Sequence, residues 1–243
     1  MSTPKVLVTI CCYNHGKYLD EAVQSIIDQT YTNLDICIVD DGSDADQNIG
    51  RITKDLQQRD ARIRVIALPK NVGKWHGLNE AIRTSDAVLC TAHDADDISL
   101  PDRIERQVAC LMKTQTLHNL CGFHHCWSED DVVRIKKDYV PPSNLQIVNS
   151  EIVTSAVMMG KSTPGINHYF TGQFETAGVS ALFYRQIWEM GIRFNPPGAG
   201  IRTLASEDSD FNFRVTALLS RTSILAEQPY CYRRNTSTNN ELT

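Results

Sequence analysis

The sequence predicts an α/β fold built on one doubly wound, mostly parallel sheet with helices on both faces. Three observations carry that prediction. Short apolar runs alternate with amphipathic stretches through the first half of the chain. The runs end in turns supplied with Asp, Asn, Gly or Ser. The length of 243 residues suits one large domain with a substantial core, and no internal repeat, low-complexity tract or linker divides it.

Val6–Cys12 is an apolar, β-branched run that stops at Tyr13-Asn14-His15-Gly16, and it reads as the first strand. Leu19, Ala22, Val23, Ile26 and Ile27 then recur at helical spacing. Leu34–Val39 is the second strand and ends in Asp40-Asp41-Gly42-Ser43. A polar helix over 46–58 and a third strand, Ile63–Leu68, come next. Asn71–Ile82 reads as a loop that becomes a helix. Ala87–Ala92 is too short for a helix and reads as a buried parallel strand. Pro101 marks the start of a helix that continues through Arg103–Met112, with Asp102 in its first turn.

The second half is less regular. Leu120–Trp127 reads as a strand, Ser128–Asp131 as a charged turn and Val153–Met159 as a short helix. Gly160–Thr176, rich in Gly, Ser, Thr and Pro, reads as a loop near the active face. Val179–Ile187 reads as a strand passing into a helix, and Phe211–Leu219 as a helix. Tyr184, Trp188 and Met190 are expected in the core on a helix face.

Composition narrows the function. A formal charge of −5, with no dominant basic stripe, argues against nucleic acid as a partner. No apolar run has bilayer-spanning length, and Met1–Lys5 opens no signal peptide. The eight cysteines show no paired CxxC spacing and read as buried, reduced thiols, so a cytoplasmic location is expected. Peripheral association with a membrane is compatible with this composition, as is a place within a longer protein.

The chemistry concentrates at Asp94, Asp96 and Asp97, behind the fourth strand. In open α/β sheets ligands bind at the carboxyl ends of strands. Three acids in four residues repel one another unless a cation sits among them. Magnesium or manganese suits such hard oxygen donors and is typically shared with substrate phosphates. A solvated acidic turn or a set of helix caps is the alternative. The other strand ends bring Thr9, Tyr13 and Asn14, then Asp40 and Asp41, then Asn71-Val72-Gly73-Lys74 to the same edge. A carboxylate after the second strand suits a ribose hydroxyl or base N–H, and Lys74 suits a pyrophosphate. No GxGxxG follows the first strand, which argues against a dinucleotide cofactor.

Taken in order, these residues resemble glycosyltransferase family 2, with the GT-A fold. The match runs through Thr9–Asn14 with Gly16, Ser25–Tyr31, Ile38–Ser43, Asn71–Lys74 with Leu78-Asn79, and Asp94–Asp97 with Pro101 and Arg103. It continues at Glu207-Asp208 with Phe211 and Arg214, and at Tyr230–Arg233. The resemblance implies a single domain over 1–243, with residues 1–97 binding the donor and 98–243 the acceptor and base. It implies a nucleotide-sugar donor, most commonly a UDP-sugar, a glycan, lipid-linked or protein acceptor, and inversion at the anomeric carbon. By the same analogy Asp40 contacts the uracil, with Thr9, Tyr13, Asn14 and Asp41 nearby, and Asn71 and Lys74 lie along the donor. Asp94-Ala95-Asp96 faces the sugar diphosphate, Asp96 being the chief ligand of Mn2+ or Mg2+ and Asp94 assisting. Asp208 is the expected base and Glu207 its partner, although a Glu-Asp pair opening a helix is ordinarily a matter of capping.

The resemblance is incomplete in one respect. Family members often carry a histidine after the last Tyr-x-Tyr-Arg stretch, whereas Arg233, Arg234 and Asn235 stand here. Either arginine can clamp a diphosphate or serve as ordinary surface charge. The Cys121–Cys126 stretch with His118 permits a zinc site by spacing, but its cysteines would point to opposite faces of one strand. His93 is expected to pack at the strand end or touch the donor sugar, and Trp75 and His76 to line the donor pocket or the core. Two other functions fit the sheet class: a sugar-1-phosphate nucleotidyltransferase and a silent nucleotide-sugar-binding module. The first lacks its Gly-rich basic loop over Cys11–His15.

Overall fold

In the computed structural model of the chain, residues 3–148, 168–170, 175–199, 206–219, 222–234 and 236 are described below. Strand β1 (Val6–Cys12) is central because its side chains are apolar in both directions. Val6, Val8, Ile10 and Cys12 point to one face and meet α1 (Gly16–Ile27), α2 (Ile49–Arg59) and α4 (Arg103–Thr114). Leu7, with Cys37 and Val39 of β2 (Leu34–Asp40), points to the other face and meets α3 (Lys74–Arg83). Full burial of such side chains contributes about 1.5–3 kcal/mol each, so a strand apolar on both faces is stable only inside three layers.

β3 (Ile63–Ala67), β2, β1 and β4 (Leu89–Asp94) pair in parallel in that order. Beyond β4 come β5 (Ile98–Ser99), β6 (His118–Cys121), β7 (His124–Cys126), α5 (Glu129–Asp138) and β8 (Ile147–Val148). Next are β9 (His168–Phe170), β10 (Glu175–Ala177), β11 (Leu182–Tyr184) and α6 (Arg185–Glu189). α7 (Glu207–Leu219), β12 (Ser223–Leu225) and β13 (Tyr230–Arg233) complete the described elements. The main sheet has the order β3-β2-β1-β4-β11-β6-β12-β8, and β11 and β8 run against the other strands. The expected mostly parallel sheet with helices on both faces is therefore observed. β5-β13-β7 form a second sheet and β9-β10 an antiparallel ribbon.

Several elements differ from the sequence reading. Leu120–Trp127 is not one strand, because β6 ends in the main sheet and β7 belongs to the second sheet. Gly122 makes the transition: its N–H donates to the carbonyls of Leu225 (3.1 Å) and Glu227 (2.9 Å). A Cβ there would lie 2.8 Å from the Glu227 carbonyl oxygen. Ser128–Asp131 is the start of α5 rather than a turn, since Ser128 and Asp131 form a reciprocal capping box. The helix expected over 46–58 begins at Ile49, behind a 3₁₀ turn at Ala45–Gln47. Of the segment 160–176, the described parts belong to the β9-β10 ribbon. Val153–Met159 and the rest of that segment lie outside the described residues. Tyr184 is on a strand, and Met190 is exposed at the end of α6 rather than packed in the core. All eight cysteines are free thiols, seven of them buried.

Gly42 holds the turn after β2 with φ of +70°, and a Cβ would fall 2.3 Å from the backbone carbonyl carbon of Lys70. We expect Gly42→Ala to cost about 2–3 kcal/mol. Gly50→Ala, on an open surface of α2 with nothing within 4 Å, should be neutral or stabilising by a few tenths of a kcal/mol up to about 1. Urea titrations of the two variants side by side test the contrast.

Candidate active site

The carboxyl ends of β1, β2, β3 and β4 meet at one edge, and hydrogen bonds lock their loops together. Asn14 sits at φ +58°, a conformation that Asn tolerates better than most residues. Its N–H donates to the Ser43 hydroxyl (3.1 Å), and its side-chain amide both donates to Asp44 (2.8 Å) and accepts from the Asp44 N–H (2.9 Å). Asp40 accepts from the Ser43 N–H at 3.0 Å. Asp41 is buried, and its two oxygens accept from the N–H groups of Val72 and Gly73, each at 2.9 Å. Asp41 thus fixes the backbone that leads into Lys74. Thr9 is buried within β1 between Cys37 and Ala92, Tyr13 is exposed at the rim, and Asn71 lies exposed on the loop.

Lys74 opens α3 and connects two distant parts of the chain. Its ammonium donates to Asp94 at 2.5 Å and lies 3.5 Å from Glu207. Burial alone would lower its pKa, but the charges of Asp94, Glu207 and Asp208 outweigh burial and hold it well above the ordinary value. Glu207 and Asp208 begin α7, so the structure brings them beside the acids of β4. Asp208 is buried and accepts from the Ser206 hydroxyl and, at 2.8 Å, from the Ser209 N–H. Burial pushes its pKa up, Lys74 opposes that, Glu207 adds to it, and the result is about 6.

The three acids after β4 divide into two kinds. Asp97 is fully enclosed and accepts from the Tyr230 hydroxyl at 2.7 Å and the Arg233 N–H at 2.8 Å. Burial and the neighbouring Asp96 charge raise its pKa well above the carboxylate range. It is an anchor for β13. Asp94 and Asp96 face the site, and Ala95 between them packs into the core. Asp96 accepts from the Thr236 hydroxyl and lies 3.8 Å from His15 Nδ1. Burial, then the charge of Asp94, raises its pKa. Oxygens of Asp94, Asp96 and Asp97 lie within 4.8 Å of one another, in the only such group of potential ligands among the described residues. Close carboxylates whose charges oppose one another are a donor set suited to a hard divalent cation.

Other expectations resolve differently. Arg233 is buried, with its guanidinium on the Asp96 carbonyl (2.8 Å), Glu129 (3.0 Å) and Glu21, so it is neither a surface charge nor aimed at a diphosphate. Arg234 donates to His125 Nδ1 and lies over the Tyr232 ring. His93 is fully buried, donates from Nδ1 to the Asp94 carbonyl (2.7 Å) and contacts Tyr230 edge to face. Burial, assisted by Arg103, depresses its pKa to about 3. Trp75 packs on the second core layer with His76 against its edge. Cys121 and Cys126 lie in different core clusters, and His118 bonds to Asn212 and Thr222 instead of a metal. His15 and Thr236 had no signal as site residues, because both reach Asp96 only through the fold.

A family model described as glycosyl transferase family 2 matches residues 7–183. The chain belongs to glycosyltransferase family 2, and its fold is GT-A. It is 26% identical over 246 residues to the uncharacterized glycosyltransferase EpsJ of Bacillus subtilis, covering 98% of this chain and 64% of EpsJ. It is 36% identical over 102 residues to Escherichia coli chondroitin synthase, covering 42% of this chain and 14% of that enzyme. The fold is similar to that of S. aureus TarS 1–349 in complex with UDP-GlcNAc, with a TM-score of 0.67, 16% identity, and coverage of 98% of this chain and 61% of that one. It is also similar to the Pyrobaculum calidifontis mannosyltransferase PcManGT in complex with GDP-Man and Mn2+, with a TM-score of 0.64, 17% identity, and coverage of 98% and 59%. The chain thus spans less than two thirds of the length of each of these relatives.

His118 supplies a test of the buried polar network behind this site. Burial lowers its pKa to about 4, partly opposed by the Asn212 hydrogen bond. Between that value and 6.5 the unfolded chain binds a proton that the folded chain refuses, so stability falls as pH falls. His118→Gln should therefore lose about 2 kcal/mol less than the wild type between pH 7 and pH 5. Urea midpoints at the two pH values measure the difference.

Proposed function

We propose that this domain is an inverting glycosyltransferase that moves a sugar from a UDP-sugar to an acceptor hydroxyl of a glycan or glycoconjugate. The observation that carries the proposal is the Lys74 bridge, which sets Glu207-Asp208 beside Asp94 although over a hundred residues separate them. Donor-binding acids and a candidate base then share one site. Asp40, Tyr13 and Asn14 form the nucleotide end, and Asn71 and Lys74 lie along the diphosphate. Asp41 and Thr9 support that end from beneath. The printed ligands of the similar structures, UDP-GlcNAc and GDP-Man with Mn2+, support a nucleotide-sugar donor. Free, buried thiols support a reducing compartment, the cytoplasm. No described helix is long and apolar enough to cross a membrane.

Asp94 and Asp96 would hold Mn2+ or Mg2+, which when bound supplies Lewis-acid neutralisation of the departing diphosphate. Everything else falls to the chain. Lys74 lends its positive charge to the diphosphate and can exchange carboxylate partners as the donor arrives. Asp208 accepts the proton of the acceptor hydroxyl while that oxygen bonds to the anomeric carbon. The bond from carbon to the diphosphate oxygen breaks, and its electron pair leaves with the diphosphate. A base with a pKa near 6 is ionised at neutral pH yet basic enough to assist. The silent-module reading predicts donor binding without transfer.

Calorimetric titration with UDP, with and without Mn2+, is the direct test. We expect Mn2+-dependent binding that Asp96→Ala abolishes and Asp208→Asn retains. Asp208→Asn should reduce transfer roughly 10²–10⁴-fold. Equal loss of UDP affinity in both variants contradicts this division of roles.

The pH dependence provides a second, independent check. Wild-type transfer should rise as pH passes upward through about 6, as Asp208 ionises. Its folded pKa lies above its ordinary value of 3.8, so ionisation destabilises the fold, and the penalty is complete above about pH 6. Asp208→Asn should therefore be more stable than wild type at pH 7.5, by on the order of 1–3 kcal/mol. Thermal unfolding of both proteins without ligand decides the point.

A further inference from the structure

The second sheet carries an ordered row of aromatic and basic side chains that donor chemistry does not use. On β7 and its flanks, Phe123, His125 and Trp127 alternate onto one face, while Cys126 turns into the core. On β13, which pairs with β7 in parallel, Tyr230, Tyr232 and Arg234 occupy the matching positions, with Tyr232 opposite His125. Neighbouring rings touch: Phe123 lies 4.8 Å from His125 and 5.9 Å from Tyr232, centroid to centroid. His125 and Trp127 stack at 6.1 Å with planes 19° apart. The Arg234 guanidinium lies 4.6 Å from the Tyr232 ring and 5.5 Å from the Trp127 ring, and it bonds to His125 Nδ1.

This row has a direction. Its inner end is Tyr230, buried beneath the acids, with its hydroxyl on Asp97. Its outer end is Trp127, which is 64% exposed. From Tyr230 to Arg234 the strand advances about 13 Å, from the acids to solvent. Tyr232 lies between the two ends, within electrostatic reach of Asp94, Asp97 and Asp208. Tryptophan and tyrosine combine a large apolar face with a polar N–H or O–H and are enriched at interfaces for that reason. Here the ring is held in a stack rather than left to rotate. A flat apolar face flanked by guanidinium and imidazole matches a sugar ring, which offers C–H groups on its faces and hydroxyls at its edge.

We propose that Trp127, His125 and Arg234, backed by Tyr232, form an acceptor platform that binds a ring of a saccharide chain and presents the chain's end to Asp208. This assigns the acceptor to oligosaccharides, as opposed to small aglycones, and it rests on the transferase reading above. The platform is assigned to the acceptor side because Tyr232, at its centre, lies within electrostatic reach of Asp208, the candidate base.

The test follows tryptophan fluorescence of the full chain in the presence of UDP and Mn2+ during titration with maltotriose, mannotriose and an N-acetylglucosamine trimer. The chain has three tryptophans, and Trp127 is the exposed one among them. At least one trisaccharide should shift the emission to shorter wavelength, and Trp127→Phe should remove that shift. By calorimetry, Trp127→Ala and Arg234→Gln should each weaken the same trisaccharide at least tenfold, Trp127→Phe should weaken it less, and UDP affinity should stay within twofold. The proposal is overturned if no trisaccharide moves the signal, if Trp127→Ala binds the trisaccharide as wild type does, or if inorganic pyrophosphate alone produces the shift. Failure of wild-type protein to bind UDP would count against the transferase reading instead, and the saccharide titration without UDP still decides the platform.

Discussion

The Lys74 ammonium stands among carboxylates contributed by β4 and by the start of α7, and the site depends on that arrangement. Asp94, Glu207 and Asp208 would repel one another across a partly buried space without it. A charge in this position is strongly favoured, since partial burial strengthens each attraction relative to bulk water. Lys74 can stand there because Asp41, fully engaged by the Val72 and Gly73 N–H groups, fixes the loop that delivers it. A short chain of contacts therefore runs from the end of β2, through the loop after β3, to the acids of β4 and the first turn of α7.

The sheet makes this economical. Four parallel strands end at one edge, so four loops meet without any long excursion of the chain. The helices that cover the sheet also present their first turns there, α3 through Lys74 and α7 through Glu207 and Asp208. Below the edge, Thr9, His93 and Ala95 are buried and shape the floor on which the exposed groups rest. The acids of β4 accordingly serve two purposes. Asp94 is partly exposed and Asp96 lies buried beside it, while Asp97 turns inward to hold β13 in place.

Much of this was legible in the sequence, for physical reasons. Strands buried on both faces announce themselves as unbroken apolar runs, and polar turns at their ends locate the site edge. Local information ran out where partners are distant. Nothing near Ile98-Ser99 or Tyr230–Arg233 marks them as strands, because Ile98-Ser99 pairs with the distant Tyr230–Arg233, which in turn pairs with His124–Cys126. Arg233 could not be distinguished from a surface arginine without Glu21, Glu129 and Asp97 around it. Asp40 and Asp41 look alike in sequence, and only the fold reveals that backbone N–H groups occupy both oxygens of the second and one oxygen of the first. The helix at 129–138 was a different kind of miss. Ser128 followed by Asp131 and then by apolar Val132, Val133 and Ile135 is a capping-box signature, and its acidic start resembles a charged turn when read without the apolar residues that follow.

The bond between Asp97 and Tyr230 spans 133 positions. Contacts of such separation form late, after loop closure has been overcome. During synthesis, therefore, β1 to β4 emerge and can pair well before the chain that anchors their acidic end exists. Asp97 has neither of these partners until Tyr230 and Arg233 have been made. Its burial and the arrival of β13 are one event. The same part of the chain brings Thr236 to Asp96, so the site is complete only once residues 230–236 are in place.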